Sequence, residues 1–548
     1  MENIRKSGIL AHPTSFPSPF GIGDMGKGAY DFLDFLSKSG QKIWQTLPLG
    51  STGFKDSPYQ SFSAFAGNFY LISPQILFEK GLLSKSDIYN IPSFPDDYVD
   101  FGNVIKYKNS LFKKAFIAFS KSMCSDREFI KFKSENAFWL KGHSLFMAIK
   151  DYYINARKNE YESGGLKKFI NDTKDFLSPE TQLDYYYGGV WASWESGLIK
   201  RIPETINFYS KKLQNEIEFY NFLQFEFFSE WEKLKLTANE MDIKIIGDIP
   251  IFVAWDSADV WENQELFYLN PNGFPTEVAG VPPDYFSAKG QLWGNPLYKW
   301  DNHIKTGLKW WTGRIKNCLK TCDIMRIDHF RGFEAYYAIP FGSKDATKGE
   351  WRKGPGKEFF DIIKRSVGSL PFIAEDLGII TKEVENLRDS IGLPGMRVLQ
   401  FAFDDSENNA YLPHNHIKNC IVYTGTHDND TSKGWYNSAL EFSRDALRRY
   451  MNTSGSDPSW DMIRLAFSSC ANTAVFPLQD VLRLGPEGRM NTPGISSGNW
   501  KWRYKENDLT GDLSDGLLYL NRVFKRNLSK QQQIVTTDIH TNIQINFK

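Results

Sequence analysis

The 548-residue chain has no excess of either charge, because 65 Lys and Arg residues balance 65 Asp and Glu residues. A protein that binds nucleic acid or an anionic membrane surface needs a basic excess. We therefore expect no nucleic-acid partner and no membrane partner, and the ligand is expected to be neutral. The oligomeric state is left open by the sequence.

Cysteine is scarce, and its spacing gives no sign of a disulfide framework or a zinc site. The five cysteines are an odd number with no CxxC pair and no clustering with histidine: Cys124, Cys318, Cys322, Cys420 and Cys470. The sequence also has no EF-hand loop and no phosphate-binding glycine motif. We therefore expect neither a metal ion nor a cofactor.

Long apolar runs are missing as well. No stretch approaches the length needed to cross a bilayer, and residues 1–6 lack the apolar core of a signal peptide. We expect a cytosolic protein, with a plastid protein that has lost a transit peptide as the alternative. A chain of this length can hold several average domains or one large barrel enzyme with insertions.

Aromatic residues, by contrast, are abundant. They make up 15% of the chain and include 16 Trp and 25 Tyr. Flat aromatic rings stack on the apolar faces of sugar rings, so this composition suits a carbohydrate ligand. Most of these rings are nevertheless expected to be ordinary core residues.

Charged residues gather at one predicted strand end, in residues 323–332 (DIMRIDHFRG). Residues 323–327 predict a buried strand, and Arg326, Asp328, His329 and Arg331 lie near its C-terminal end. A parallel β/α barrel carries its catalytic groups at that end of its strands. Taken alone, the stretch is explained equally well by a structural Asp–Arg ion pair.

Two further stretches, 371–378 (PFIAEDLG) and 420–430 (CIVYTGTHDND), also run from an apolar segment into carboxylates and a turn, which favours the catalytic interpretation. The segments MRIDHFR (325–331), AEDLG (374–378) and THDN (426–429) resemble the signatures of the 4-α-glucanotransferases, also called amylomaltases or disproportionating enzymes. Residues 56–68, 280–298 and 489–503 resemble further segments of that family. These enzymes are glycosyl-transferring relatives of the α-amylases.

The strand pattern and the resemblance predict an α/β fold, a (β/α)8 TIM barrel with large, mainly helical insertions and no C-terminal β-sandwich domain. The predicted strands are 42–49, 69–73, 244–253, 323–327, a strand ending at Glu375, 396–403, 421–425 and 473–478. Residues 5–23 are expected to be an irregular surface lead-in. We expect residues 1–548 to form one catalytic unit, with a helical insertion at 74–240 between strands two and three, an active-site covering loop at 254–300 and a polar tail at 531–548.

Retaining cleavage of a glycosidic bond needs a carboxylate nucleophile and a carboxylic acid roughly 5 to 5.5 Å apart. Adjacent barrel strands can supply that spacing, so we assign Asp328 as nucleophile and Glu375 as acid/base. Asp428 is expected to bind the 2- and 3-hydroxyls of the donor sugar. Arg326 is expected to keep Asp328 ionised.

The resemblance also implies a set of sugar-binding residues: Tyr59, Asp248, Asp284, Gln291, Trp293, Arg326, His329, His427 and Asn499. Purely structural roles remain open for three of them. Tyr59 can pack on the barrel rim, Asp248 can form a structural hydrogen bond, and Asn499 can simply close the last loop.

The resemblance implies a transferase that moves a segment of an α-1,4-glucan to the 4-hydroxyl of an acceptor glucan or glucose, through a covalent glycosyl-aspartate. Donor and acceptor are then starch- or glycogen-type glucans or maltooligosaccharides. An α-amylase-type hydrolase with the same three acids is the alternative, and a non-catalytic glucan-binding protein is a second. The covering loop favours transfer because a covered site limits the access of water.

Overall fold

A nearly closed barrel of eight parallel strands forms the centre of the molecule. The computed structural model describes residues 5–52, 56–158, 164–283, 287–404, 406, 408–495 and 497–526. These residues form β1 (Lys6–Leu10), β2 (Ile43–Gln45), β3 (Lys244–Pro250), β4 (Glu277–Val281), β5 (Gln291–Pro296), β6 (Ile324–Asp328), β7 (Ala335–Pro340), β8 (Glu350–Lys353), β9 (Phe372–Ala374), β10 (Gly395–Val398), β11 (Cys420–Tyr423) and β12 (Thr473–Pro477).

The barrel strands lie in the order β10-β11-β12-β1-β2-β3-β6-β9, and every neighbouring pair is parallel. Between the two ends of this sheet, Ala374 N donates to Pro394 O at 2.9 Å, so β9 comes close to β10. The predicted eight-stranded barrel is therefore confirmed. After β12 the described residues form helices and no further strand, in agreement with the predicted absence of a C-terminal β-sandwich.

Helices surround the barrel and fill most of the long connection from β2 to β3. The α-helices are α1 (Lys27–Lys38), α2 (Pro74–Glu79), α3 (Lys85–Tyr89), α4 (Phe101–Phe119), α5 (Arg127–Glu135), α6 (Ala137–Arg157), α7 (Gly164–Thr173), α8 (Pro179–Tyr187), α9 (Ser196–Ile199), α10 (Pro203–Lys212), α11 (Gln214–Glu240), α12 (Ala258–Glu262), α13 (Trp300–Lys305), α14 (Lys309–Thr321), α15 (Gly356–Val367), α16 (Lys382–Ile391), α17 (Ser432–Ser438), α18 (Glu441–Met451), α19 (Pro458–Ser468), α20 (Leu478–Val481) and α21 (Gly511–Val523). Among the described helices, none combines the length and the apolar character that crossing a membrane requires.

Helix α11 shows how this helical region is attached to the barrel. Its buried residues include Tyr220, Leu223, Phe227 and Trp231, spaced by three or four positions, so they form one apolar face. The Trp231 ring lies 5.6 Å from that of Trp44 on β2, and its indole N–H donates to a backbone carbonyl at the end of α14. Burial of a side chain such as Leu223 or Phe227 stabilises the fold by roughly 1.5 to 3 kcal/mol relative to its exposure.

Two predictions about the strands are wrong. Residues 69–73 do not form the second barrel strand, because Phe69–Leu71 is a 3₁₀ helix whose first turn is capped by the Asn68 side chain. The missing strand is β1, within the stretch predicted to be an irregular lead-in, and it pairs with β12 and β2. Because four of its five residues are buried, β1 lacks the alternation of polar and apolar residues that marks a half-exposed strand.

Residues 254–300 are also more regular than a covering loop. They contain α12, β4 and β5, and these two strands join β7 and β8 in an antiparallel sheet of order β5-β4-β7-β8. Ala279, Tyr336 and Ala338 of this sheet pack into the main core. Trp293 of β5 contacts His329, which follows β6, so the sheet lies beside the carboxyl end of that barrel strand.

Candidate active site

Asp328 and Glu375 lie side by side because they end neighbouring parallel strands. The β6–β9 register pairs Ile327 with Ala374, and the Glu375 N–H donates to Ile327 O at 3.1 Å. The Glu375 carboxylate accepts hydrogen bonds from the backbone N–H of His329 at 2.7 Å and of Leu377 at 3.0 Å. Both of its oxygens are therefore held by the turns that follow the two strands.

Arg326 connects Asp328 to the next strand of the barrel. Its Nη2 donates to Asp328 Oδ1 at 2.9 Å, and its Nη1 donates to Asp248 Oδ2 at 2.5 Å. Residues two apart on a strand point to the same side, so Arg326 and Asp328 both project from β6 into the barrel mouth. The guanidinium is buried, whereas the Asp328 side chain keeps 28% of its exposure and is accessible to a ligand.

Tyr59 extends this network to the far side of the barrel mouth. Its hydroxyl donates to Asp248 Oδ2 at 2.7 Å and lies 2.8 Å from His427 Nε2, and its ring stacks on the His427 ring at 5.2 Å. His427 Nε2 is 3.5 Å from Asp428 Oδ1. Arg326, Asp248 and Tyr59 thus connect Asp328 by hydrogen bonds to His427, which lies beside Asp428.

Two residues that hold Asp428 were missed by the sequence analysis. Asn491 Nδ2 donates to Asp428 Oδ1 at 2.6 Å, and Arg489 Nη2 donates to the Asp428 carbonyl at 2.9 Å. Both belong to the segment 489–503, and the resemblance of that segment to the family could have identified them as candidate site residues. The Asp428 side chain remains 45% exposed and can still accept from a ligand.

Trp293, Gln291 and His329 form a second group above Asp328. The Trp293 ring meets the His329 ring edge-on at 4.8 Å, and Trp293 Nε1 donates to Gln291 Oε1 at 3.1 Å. His329 has φ 53°, a left-handed conformation that is uncommon outside glycine. Its Nε2 is buried without a hydrogen-bond partner among the described residues.

Two predicted binding residues do not join these contacts. Asn499 accepts from Thr492 N at 3.0 Å and donates to Ile495 O at 2.9 Å, so its hydrogen bonds close its own loop. Asp284 lies outside the described residues. The other predicted residues fall within the two groups described above.

Burial and neighbouring charges shift the pKa values in this site. Burial raises the pKa of Glu375 to about 6, against the opposing effects of Arg326 and the two backbone N–H groups. Burial also raises the pKa of Asp328, and the Arg326 guanidinium opposes that shift. Burial lowers the pKa of His329 to about 4, so its imidazole is neutral at pH 7.

The Asp376 side chain points away from the site, although Asp376 follows Glu375 in the chain. Its carboxylate accepts a hydrogen bond from Met396 N at 2.7 Å.

The side chains of the site are carboxylates, imidazoles and aromatic rings, and they contact one another. Within the described part of the chain, no three His, Cys, Asp or Glu side chains are grouped in a way that could hold a metal ion. The absence of a required metal or cofactor stays a prediction from the sequence.

Comparisons with known proteins extend over nearly the whole chain. The family model described as 4-α-glucanotransferase matches residues 11–510. The 4-α-glucanotransferase of Synechocystis sp. is 44% identical over 534 residues, which is 96% of this chain and 99% of that protein. The 4-α-glucanotransferase of Thermus thermophilus is 45% identical over 524 residues, covering 94% of this chain and 97% of that protein.

A solved structure, an amylomaltase from Streptococcus agalactiae in complex with acarbose, has the same fold. The two chains superpose with a TM-score of 0.87 at 36% sequence identity, covering 95% of this chain and 99% of the other. The agreement therefore includes the barrel, the helices between β2 and β3, and the strands that carry the site. Similarity of this extent, in sequence and in structure, shows that the chain belongs to the 4-α-glucanotransferase family.

Proposed function

We propose that this enzyme cleaves an α-1,4-glucan and transfers the donor part to the 4-hydroxyl of another glucan or of glucose, with Asp328 as nucleophile and Glu375 as acid/base. One observation carries the assignment: the two carboxyl groups end adjacent parallel strands, and the turn after Asp328 donates a hydrogen bond to Glu375. Retaining glycosidases use two carboxyl groups in this kind of proximity.

In the first step, protonated Glu375 gives its proton to the glycosidic oxygen while that bond to the anomeric carbon breaks. Arg326 holds one oxygen of Asp328, and the other oxygen forms an ester with the anomeric carbon. The shortened glucan leaves with a new 4-hydroxyl. In the second step, the Glu375 carboxylate takes the proton of an acceptor 4-hydroxyl, whose oxygen attacks the anomeric carbon and releases Asp328.

Asp428 is proposed to bind the 2- and 3-hydroxyls of the donor sugar, contacts that strengthen as the ring flattens toward the oxocarbenium ion. Asn491 supports this role because it fixes the carboxylate at 2.6 Å. Tyr59, Asp248 and His427 are proposed to line the donor sugar as well. The Asp248 side chain is fully buried and its Oδ2 is held by Arg326 and Tyr59, so a direct sugar contact requires one of these neighbours to move.

Maltotriose separates transfer from hydrolysis. We expect glucose and a ladder of longer maltooligosaccharides, with little gain in reducing ends, because each bond broken is replaced by a new one. Product sizing together with a reducing-end assay measures both quantities. Reducing ends that rise in step with the loss of maltotriose would instead identify an amylase-type hydrolase.

The raised pKa of Glu375 predicts the alkaline limb of the pH profile. The acid must be protonated to assist departure of a natural glucan, so kcat/KM for maltotriose should fall as pH rises through about 6. A donor with a fluoride leaving group needs little protonation, and its kcat/KM should lack this limb. Initial rates with both donors, measured from acidic to alkaline pH, test the assignment, which fails if the two profiles share the same limb.

A further inference from the structure

Trp351 is an exposed aromatic residue near the active site that the proposed mechanism does not use. It lies on β8, the edge strand of the antiparallel sheet, and 39% of its surface is exposed. Among the described tryptophans it is the only exposed one. Its position beside a carbohydrate site makes it a candidate for stacking on a sugar ring.

The ring is held in place by two neighbours. The Arg331 guanidinium lies 4.0 Å from the Trp351 ring centroid, and the Tyr337 ring lies 5.3 Å away at 61°. Arg331 is itself buried and donates to the Ile379 carbonyl at 2.5 Å. Trp351 is therefore pre-organised, so a ligand that stacks on it loses little binding free energy to ordering of the side chain.

These contacts place Trp351 on the acid/base side of the site. Arg331 belongs to the turn that follows Asp328, and Ile379 belongs to the loop that follows Glu375. The proposed donor-sugar residues come instead from β3, from the loop after β2 and from the turn after β11. Because Glu375 must contact the leaving oxygen, the glucan that leaves and the glucan that enters both pass on its side.

We propose that Trp351 forms an outer acceptor subsite, on which a glucosyl unit beyond the reacting one stacks its apolar face. This inference rests on the proposed function, since it takes Glu375 as the acid/base. The ligand is an α-1,4-glucan of several units, whereas glucose fills only the reacting position and is expected not to contact this ring. Trp351 contributes binding, so its loss should raise KM for long acceptors and leave kcat unchanged.

The test uses the full-length enzyme and a donor with no chain on the acceptor side. An α-maltosyl fluoride with a methylated terminal 4-hydroxyl can donate but cannot accept. Acceptor KM and kcat are measured with glucose and with maltopentaose for the wild-type enzyme, Trp351→Ala and Trp351→Phe. Tyr519→Ala on α21 is the matched control, because Tyr519 is an exposed aromatic residue (60%) on a helix that packs against α1 and α19.

For Trp351→Ala we expect KM for maltopentaose to rise about five- to tenfold, the size of one aromatic stacking contact, with KM for glucose unchanged. Trp351→Phe should lie between this variant and the wild type, and Tyr519→Ala should match the wild type. The proposed subsite would be overturned if Trp351→Ala left KM for maltopentaose unchanged, or if it raised KM for glucose and for maltopentaose by the same factor. A wild-type enzyme that fails to transfer from the fluoride at all would refute the proposed function instead.

Discussion

Replacing Asp328 by Asn is expected to abolish transfer and hydrolysis together. The amide is a far poorer nucleophile than the carboxylate, so we expect kcat to fall on the order of 10⁴-fold or more. The shape of the site should survive, because the oxygen of the introduced amide can accept from Arg326 and the guanidinium keeps its bond to Asp248. Maltotriose transfer and fluoride release from a maltosyl fluoride measure the loss.

The fluoride donor makes this test specific for the nucleophile. A fluoride leaving group needs little acid assistance, so a defect in proton donation alone would spare its release, whereas loss of the nucleophile would not. Asp361→Asn on the surface of α15 is the control for the substitution itself, because Asp361 pairs only with exposed Lys357 among the ion pairs of the described residues. A fully active Asp328→Asn enzyme, shown by mass spectrometry to be free of deamidated protein, would remove Asp328 from this role.

The barrel and the three acids could be predicted because their signals are local. Each acid follows an apolar segment within a few residues, and α11 repeats its apolar face over several turns. The resemblance then placed these segments in one family, and the comparisons confirm that family and its transferase activity. The individual roles of the three acids stay predictions.

The features that sequence reasoning missed depend on contacts between distant parts of the chain. Strand β1 is a short segment whose partner β12 lies near the other end of the described chain, so pairing rather than local pattern makes it a strand. The hydrogen bond from Tyr59 to Asp248 spans 189 positions, and that from Asn491 to Asp428 spans 63. For residues 69–73 the local pattern was misleading instead. This apolar run has the length of a strand, but the Asn68 side chain caps it and residues Phe69–Leu71 form a 3₁₀ helix.

Glu375→Gln is expected to impair transfer from natural glucans severely while sparing the first step with an activated donor. Removal of a general acid costs about 10²- to 10⁴-fold in rate when the leaving group needs protonation. With a maltosyl fluoride the glycosyl-enzyme should still form, giving a burst of fluoride followed by slow turnover, because the second step lacks its base. Rapid-quench measurement of fluoride and mass spectrometry of the protein detect the burst and the ester on Asp328.

An added small anion sharpens this prediction. Azide attacks the glycosyl-enzyme without needing a base, so it should restore turnover of Glu375→Gln with the fluoride donor and yield a glycosyl azide. The same anion should not rescue Asp328→Asn, because no ester forms in that variant and the amide still fills the position from which azide would have to attack the anomeric carbon. The two variants therefore separate the acid/base from the nucleophile by opposite responses to one reagent.

Substitutions of Glu375 also disturb two hydrogen bonds to the backbone, and this effect must be separated from the loss of the acid/base. Both Glu375 oxygens accept backbone N–H groups, from His329 and Leu377, so a glutamine must turn its NH₂ toward one of these donors. The lost hydrogen bond costs roughly 1 to 3 kcal/mol and could displace the turn that carries Asp328. Glu375→Ala, which leaves room for water at both N–H groups, is the second variant. Azide rescue of either variant supports the acid/base role, whereas two variants that fold with wild-type melting temperatures yet show neither burst nor rescue would refute it.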